Sequence, residues 1–91
     1  MECILEFFAN DKYKILDVLN NNKIKIKEDL YIPLSQQEIA DIAHFSKVKT
    51  NRIINELIDK KFLIVYKGKK GKYALTEKAY KVLKLMKKTN I

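Results

Sequence analysis

Apolar residues recur at helical spacing in four stretches of the chain and change to strand-like runs in two others. The stretch NDKYKILDVLNNN (10–22) places Ile15, Leu16 and Leu19 on one face of a short helix. Asn10 or Asp11 can cap it, and the run of asparagines ends it. Before it, Ile4, Leu5 and Phe8 also fit helical spacing, as a separate helix or a continuation. KIKIKEDLYIPL (23–34) alternates Lys and Ile and reads as one short strand or an irregular hairpin.

SQQE (35–38) is a capping box: the Ser35 hydroxyl can accept from the Glu38 N–H, and the Glu38 carboxylate from the Ser35 N–H. Ile39, Ala40 and Ala43 then form a short apolar stripe. Ser46 is a second N-cap only a few residues later. Two helices therefore abut through a tight turn around His44 and Phe45, with small Ala40 where they cross. In the second of them, SKVKTNRIINELI (46–58), Thr50, Ile53, Ile54, Leu57 and Ile58 face one way. Lys47, Val48, Asn51, Arg52 and Asn55 face the other, and no acid appears before Glu56. FLIVYKGKKGKYALT (62–76) is a hairpin signature with Gly68 and Gly71 in its turn. Thr76 caps a last helix, EKAYKVLKLMKK, and Leu75, Ala79, Val82 and Met86 fall at steps of four, three and four.

Composition narrows the class. Ninety-one residues, 47% of them apolar, suit one domain over 1–91 with a modest core. No apolar run approaches the ~20 residues of a membrane span, and MECILEFFAN lacks the basic start of a signal peptide. Cys3 is the single cysteine, so no internal disulfide forms and a cytoplasmic setting is expected. Charge is divided unevenly. Residues 1–45 carry five lysines against eight acids, and residues 46–91 carry fourteen basic residues against three acids. The second half, at +11, calls for a polyanionic partner.

The order helix, tight turn, helix, basic hairpin, helix resembles a winged helix-turn-helix DNA-binding domain of the MarR-type or Crp-type regulators. The resemblance covers about half the chain. QQEIADIA is similar to the first helix of the motif and SKVKTNRIINEL to its recognition helix, with Arg52, Ile53 and Ile54 matching a recurrent basic-apolar-apolar triplet. KKFLIVYKGKKGKYALT stands where the wing is carried. The turn holds His44 and Phe45 where glycine is frequent, and Lys60, Lys61 and Phe62 occupy the region of a second usual glycine. The expected fold is α+β and mainly helical: a three-helix core, a two-stranded basic wing and an extra C-terminal helix. Its parts fall at about 35–60, 62–76 and 77–89.

Such a recognition helix enters the major groove, where Arg pairs with guanine, Asn with adenine and an apolar side chain meets the thymine methyl. The residues expected to meet DNA are Ser46, Lys47, Val48, Lys49, Asn51, Arg52 and Asn55, joined by Lys67, Lys69, Lys70 and Lys72 of the wing on phosphate. Blander alternatives stand beside them: an Arg52–Glu56 surface pair, solvated asparagines, Val48 packed on Phe45, and a wing that is only a charged turn. His44 has no second imidazole or cysteine pair with which to hold a metal. GKKGK lacks the spacing of a phosphate loop. Ser35 and Ser46 serve as caps, and nothing assembles a nucleophile with its base. The expectation is a non-enzymatic, sequence-specific double-stranded DNA-binding protein without a cofactor, acting in transcription regulation. A replication or plasmid/phage maintenance protein and a winged-helix protein–protein module are the alternatives. Surplus apolar residues at the chain ends (Ile4, Leu5, Phe7 and Phe8 with Leu83, Leu85 and Met86) suggest a homodimer joined there. A monomer whose own terminal helices pair is its rival, and a membrane-surface role for the last helix is the weaker reading.

Overall fold

The computed structural model describes residues 11–27, 29–66 and 72–89, the last four by backbone alone. Helix α1 (Asp11–Asn21) buries Ile15, Leu16, Val18 and Leu19. The asparagine run ends it as expected: the Asn22 side chain donates to the Val18 carbonyl at 2.8 Å, and the Asn22 N–H donates to the Leu19 carbonyl at 3.2 Å. Asn10, the other candidate cap, lies outside the described residues.

The lysine–isoleucine segment is a hairpin. Strand β1 (Ile24–Ile26) pairs antiparallel with β2 (Asp29–Tyr31), with Ile24 opposite Tyr31. Lys27 takes the left-handed conformation, φ 58°, at the turn. Beyond β2, Ile32 is fully buried and exchanges both backbone hydrogen bonds with Tyr73, at 2.6 and 3.1 Å.

Helix α2 (Gln36–Ala43) begins with the capping box complete: the Glu38 N–H donates to Ser35 Oγ at 3.2 Å and the Ser35 N–H to Glu38 Oε1 at 2.9 Å. Helix α3 (Lys47–Asp59) starts four residues after α2 ends, with Ser46 Oγ accepting from the Lys49 N–H at 3.1 Å. Both helices stop without glycine. His44 takes φ 61° and ψ 40°; its N–H reaches the Asp41 carbonyl and the Phe45 N–H the Ala40 carbonyl. At the end of α3, Lys61 takes φ 68°, its N–H donates to the Ile58 carbonyl and the Phe62 N–H to the Leu57 carbonyl. These are two Schellman closures with a non-glycine residue in the left-handed position. The residues that replace the usual glycines therefore adopt the conformation glycine would supply. A left-handed L-residue costs roughly 1–2 kcal/mol, whereas glycine gives back up to ~1 kcal/mol through the unfolded chain. His44→Gly and Lys61→Gly should each raise the unfolding free energy by ~0.5–1 kcal/mol in urea titrations; a loss of stability in both would refute this account of the turns.

Strands β3 (Leu63–Val65) and β4 (Tyr73–Leu75) pair antiparallel with Leu63 opposite Leu75. Helix α4 (Glu77–Thr89) follows. Thr76 caps it at Ala79 and donates its hydroxyl to the Lys61 carbonyl at 2.7 Å, which ties the end of α3 to the start of α4. Helix α1 packs on α2, α3 and α4, and α3 leans on β3. Their shared core holds Ile15, Leu19, Ile39, Ile53, Ile54, Leu57, Leu63 and Ala79, with Val82 and Leu83 from α4. The described part is thus α+β, four helices and two small hairpins. None of the described helices is long and apolar enough to cross a membrane.

The α4 stripe differs from expectation in one respect. Leu83 is buried in the chain's own core beside Val82, where α4 packs on α1, so it is not surplus surface. Leu85 is 47% exposed. The side chain of Met86 and the segment with Ile4, Leu5, Phe7 and Phe8 lie outside the described residues.

Candidate nucleic-acid interface

Helix α3 has two chemically distinct sides. Thr50, Ile53, Ile54 and Leu57 are buried and Ile58 is half-buried. That apolar face seats the helix against α1, α2 and β3. The opposite side, Lys47, Val48, Asn51, Arg52 and Asn55, is exposed. Val48 is 82% exposed, so it does not tuck against Phe45. Lys47 has no protein partner among the described residues. The first turn carries no acid, so the positive end of the helix dipole is uncompensated by its own side chains.

The two asparagines are held in place. Asn55 Nδ2 donates to Asn51 Oδ1 at 3.0 Å. Asn51 Nδ2 donates to Gln36 Oε1 at 2.6 Å. Gln36 Nε2 donates to the Tyr73 hydroxyl at 3.3 Å. Tyr73 is buried, so the chain of amides starts in the core and ends on the outward face. Next to it, Asn51, Arg52, Asn55, Glu56 and Asp59 line a shallow open depression.

Arg52 is 68% exposed in its side chain and its Nε stands 3.9 Å from Glu56 Oε1. The expected surface pair is thus present, but at a distance and exposure where such pairs contribute ~0–1 kcal/mol. Lys12 approaches the other oxygen of Glu56 at 3.8 Å.

Lys49 is placed differently from its neighbours. It is half-buried, its ammonium pairs with the Asp11 carboxylate, and it lies 4.4 Å from the centre of the Phe45 ring. Lys14 approaches the same ring at 4.9 Å. The hydrogen bond from Lys49 holds the Asp11 carboxyl below its usual pKa. Ser46 is occupied as the α3 cap. Lys47, Val48, Asn51, Arg52 and Asn55 are thus the exposed residues of this side, while Ser46 caps the helix and Lys49 is paired to α1.

On the wing, Lys67, Lys69 and Lys70 lie outside the described residues, as do Gly68 and Gly71. Lys72 is half-buried, with its ammonium 5.5 Å from the Tyr31 ring centre. Tyr31 stacks on Tyr66 at 4.7 Å between centroids and 13° between planes, and the Tyr66 hydroxyl donates to Asp29 at 2.8 Å. The first hairpin therefore braces the base of the second.

Gln36, Tyr73, Tyr31 and Tyr66 were not singled out by the sequence. Gln36 stands 15 residues from Asn51, and no local spacing links them. A polar residue at the first position of the helix before a recognition helix was the available signal. Among the described residues no three His, Cys, Asp or Glu side chains gather into a metal-binding group.

No family model and no curated protein sequence matches the chain. Solved structures do share its fold. The structure of a reduced (FeII) CO-sensing protein from R. rubrum matches 87% of this chain with a TM-score of 0.70 and 16% identity. Oxidised CprK in complex with o-chlorophenolacetic acid matches 96% of it with a TM-score of 0.57 and 21% identity. Reduced CprK without ligand matches 86% with a TM-score of 0.52 and 16% identity. At these identities the likeness is one of fold. The chain spans 38–44% of the length of these structures. The MarR-type side of the sequence resemblance gains no support from them. The four helices and two hairpins are compatible with a winged-helix fold.

Proposed function

We propose that the protein is a sequence-specific double-stranded DNA-binding transcription regulator. Helix α3 lies in the major groove and the lysine-rich wing rests on the phosphate backbone. The observation that carries this reading is the outward face of α3: a positive helix end with no acid in its first turn, an exposed lysine, a bare valine, an arginine and two ordered asparagines, all on the side opposite the core. Each has a partner on a base edge or a phosphate. A protein–protein module has no need of that alignment of donors and positive charge. The fold shared with a CO-sensing protein and with the ligand-bound CprK supports a role in regulation.

In this reading one chain is a single winged-helix domain that reads a few base pairs, and two copies joined through their terminal segments read an inverted repeat. The exposed Leu85 contributes to that junction. Leu83, committed to the core, does not.

Selection of bound sequences from a random duplex pool, followed by affinity measurements on selected and random duplexes, tests the proposal. The selected site should be an inverted repeat. Arg52→Ala should cost ~1–3 kcal/mol on that site and little on random DNA. Replacing Lys69 and Lys70 together by alanine should weaken all duplexes alike and lower the salt slope. Equal losses from both changes on both kinds of DNA would refute the division of labour. Absence of any duplex binding at low salt would refute the function.

A further inference from the structure

We infer that Gln36 and Tyr73 are positioning residues that fix the base preference of the recognition helix, by holding Asn51 and Asn55 in a hydrogen-bonded amide relay directed at an A·T base pair. The inference rests on the DNA-binding reading above and goes beyond it: it assigns specificity to two residues outside the recognition helix and assigns Asn51 to one base-pair class.

The geometry is a single file. Asn55 donates to Asn51 at 3.0 Å, Asn51 to Gln36 at 2.6 Å and Gln36 to the Tyr73 hydroxyl at 3.3 Å. Each amide in the middle spends one N–H and one lone pair on its neighbours. An amide has two donors and two lone pairs, so Asn51 keeps one of each. Adenine presents one acceptor, N7, and one donor, the N6 amino group, in the major groove. The unspent groups of Asn51 match that pair in kind and number.

The relay also removes a choice. An exposed asparagine turns its amide over at little cost and offers donor and acceptor in either order. Turning Asn51 alone would set nitrogen against nitrogen at Asn55 and oxygen against oxygen at Gln36, breaking both bonds. The amides therefore turn together or not at all. The root of the file is Tyr73, buried and bonded through its backbone to Ile32. Ordering entropy is thus spent at folding rather than at binding, which is how pre-organisation sharpens discrimination. It also links wing strand β4 to the recognition helix through a side chain of α2.

The substitutions separate the parts. Gln36→Ala removes both bonds at the centre of the relay. Gln36→Glu keeps an acceptor for Asn51 Nδ2, and the Tyr73 hydroxyl can donate to the new carboxylate. Tyr73→Phe removes only the anchoring hydroxyl. Side-chain amide resonances of free protein and selection from a random duplex pool are the two readouts. In the free protein, Gln36→Ala should move the Asn51 amide resonances to the position of a solvated asparagine, and Gln36→Glu should not. With DNA, the wild type should prefer A·T at one position in each half-site by ~5–150-fold, the range of a good bidentate pair. Asn51→Ala and Gln36→Ala should each reduce that preference to about twofold or less, Gln36→Glu should keep it while weakening all duplexes, and Tyr73→Phe should fall between. Affinity for random duplex should change less than about twofold in Gln36→Ala. An unmoved Asn51 resonance in Gln36→Ala, or an A·T preference that survives it while Asn51→Ala loses it, overturns the relay and leaves DNA binding intact. A resonance that moves in a protein that binds no duplex overturns the DNA reading and this assignment with it.

Discussion

Raising salt from 50 to 200 mM should lower the affinity for duplex DNA about a thousandfold, ~4 kcal/mol, if about six phosphates are neutralised. Each neutralised phosphate adds ~0.9 to the slope of log affinity against log salt, and the fourfold change in salt multiplies that sum. The cations are available in the half of the chain that carries +11. Lys47 lies on the exposed face with no protein partner among the described residues, and Lys67, Lys69, Lys70 and Lys72 are the lysines that the sequence assigns to the wing. Lys49 is discounted, because Asp11 already neutralises it. The acids of the first half do not cancel the effect. Asp11 is paired with Lys49 where α1 meets α3, and Asp29 is bonded to Tyr66 at the wing base. A fluorescence-anisotropy titration at several salt concentrations gives the slope directly. A flat response would mean that the positive half is only a solvated surface, and the DNA-binding reading would fail with it.

How much of this was legible in the sequence depended on the range of the interaction. The two faces of α3 followed from the 3.6-residue period: Thr50, Ile53, Ile54 and Leu57 are the buried residues and Val48 and Arg52 the exposed ones. The Ser35–Glu38 box and the Ser46 and Thr76 caps were equally plain, because a cap depends on residues within one turn. The stops of α2 and α3 were not. His44 and Lys61 carry no left-handed signal of their own; the conformation is imposed by the neighbouring elements that α2 and α3 must meet. The hairpin at 24–31 lacks glycine or asparagine at its left-handed residue, Lys27, and so read as either a strand or a hairpin. Contacts between distant residues left no trace at all. Ile32 against Tyr73, Gln36 against Asn51 and Lys49 against Asp11 join elements that only the folded chain brings together. Of the candidate site, the outward residues of the helix were readable, while the groups that hold them were not.

Two substitutions six residues apart on α3 should have opposite consequences. Ile54 is fully buried in the cluster that joins α3 to the core. Ile54→Ala removes buried methyl groups and leaves a cavity where neighbouring side chains cannot fully close, at a cost of ~3 kcal/mol. Against a total of ~5–15 kcal/mol for a chain of this size, that is a large share of the stability. At ~4–8 °C per kcal/mol the melting temperature should fall by ~12–24 °C. The folded fraction should still bind DNA with unchanged preference, because Ile54 faces the core and not the exposed side of α3. Val48→Ala should do the reverse. The valine is 82% exposed and covers nothing, and alanine is the better helix former, so stability should stay within ~0.5 kcal/mol of wild type. On the proposed reading it should lose an apolar contact with a thymine methyl, and the preference for thymine at one position should weaken. Urea titrations with sequence selection on both variants make the comparison. If Val48→Ala is the destabilised protein, or Ile54→Ala the one with altered base preference, the assignment of the two faces of α3 is reversed and the recognition surface lies elsewhere.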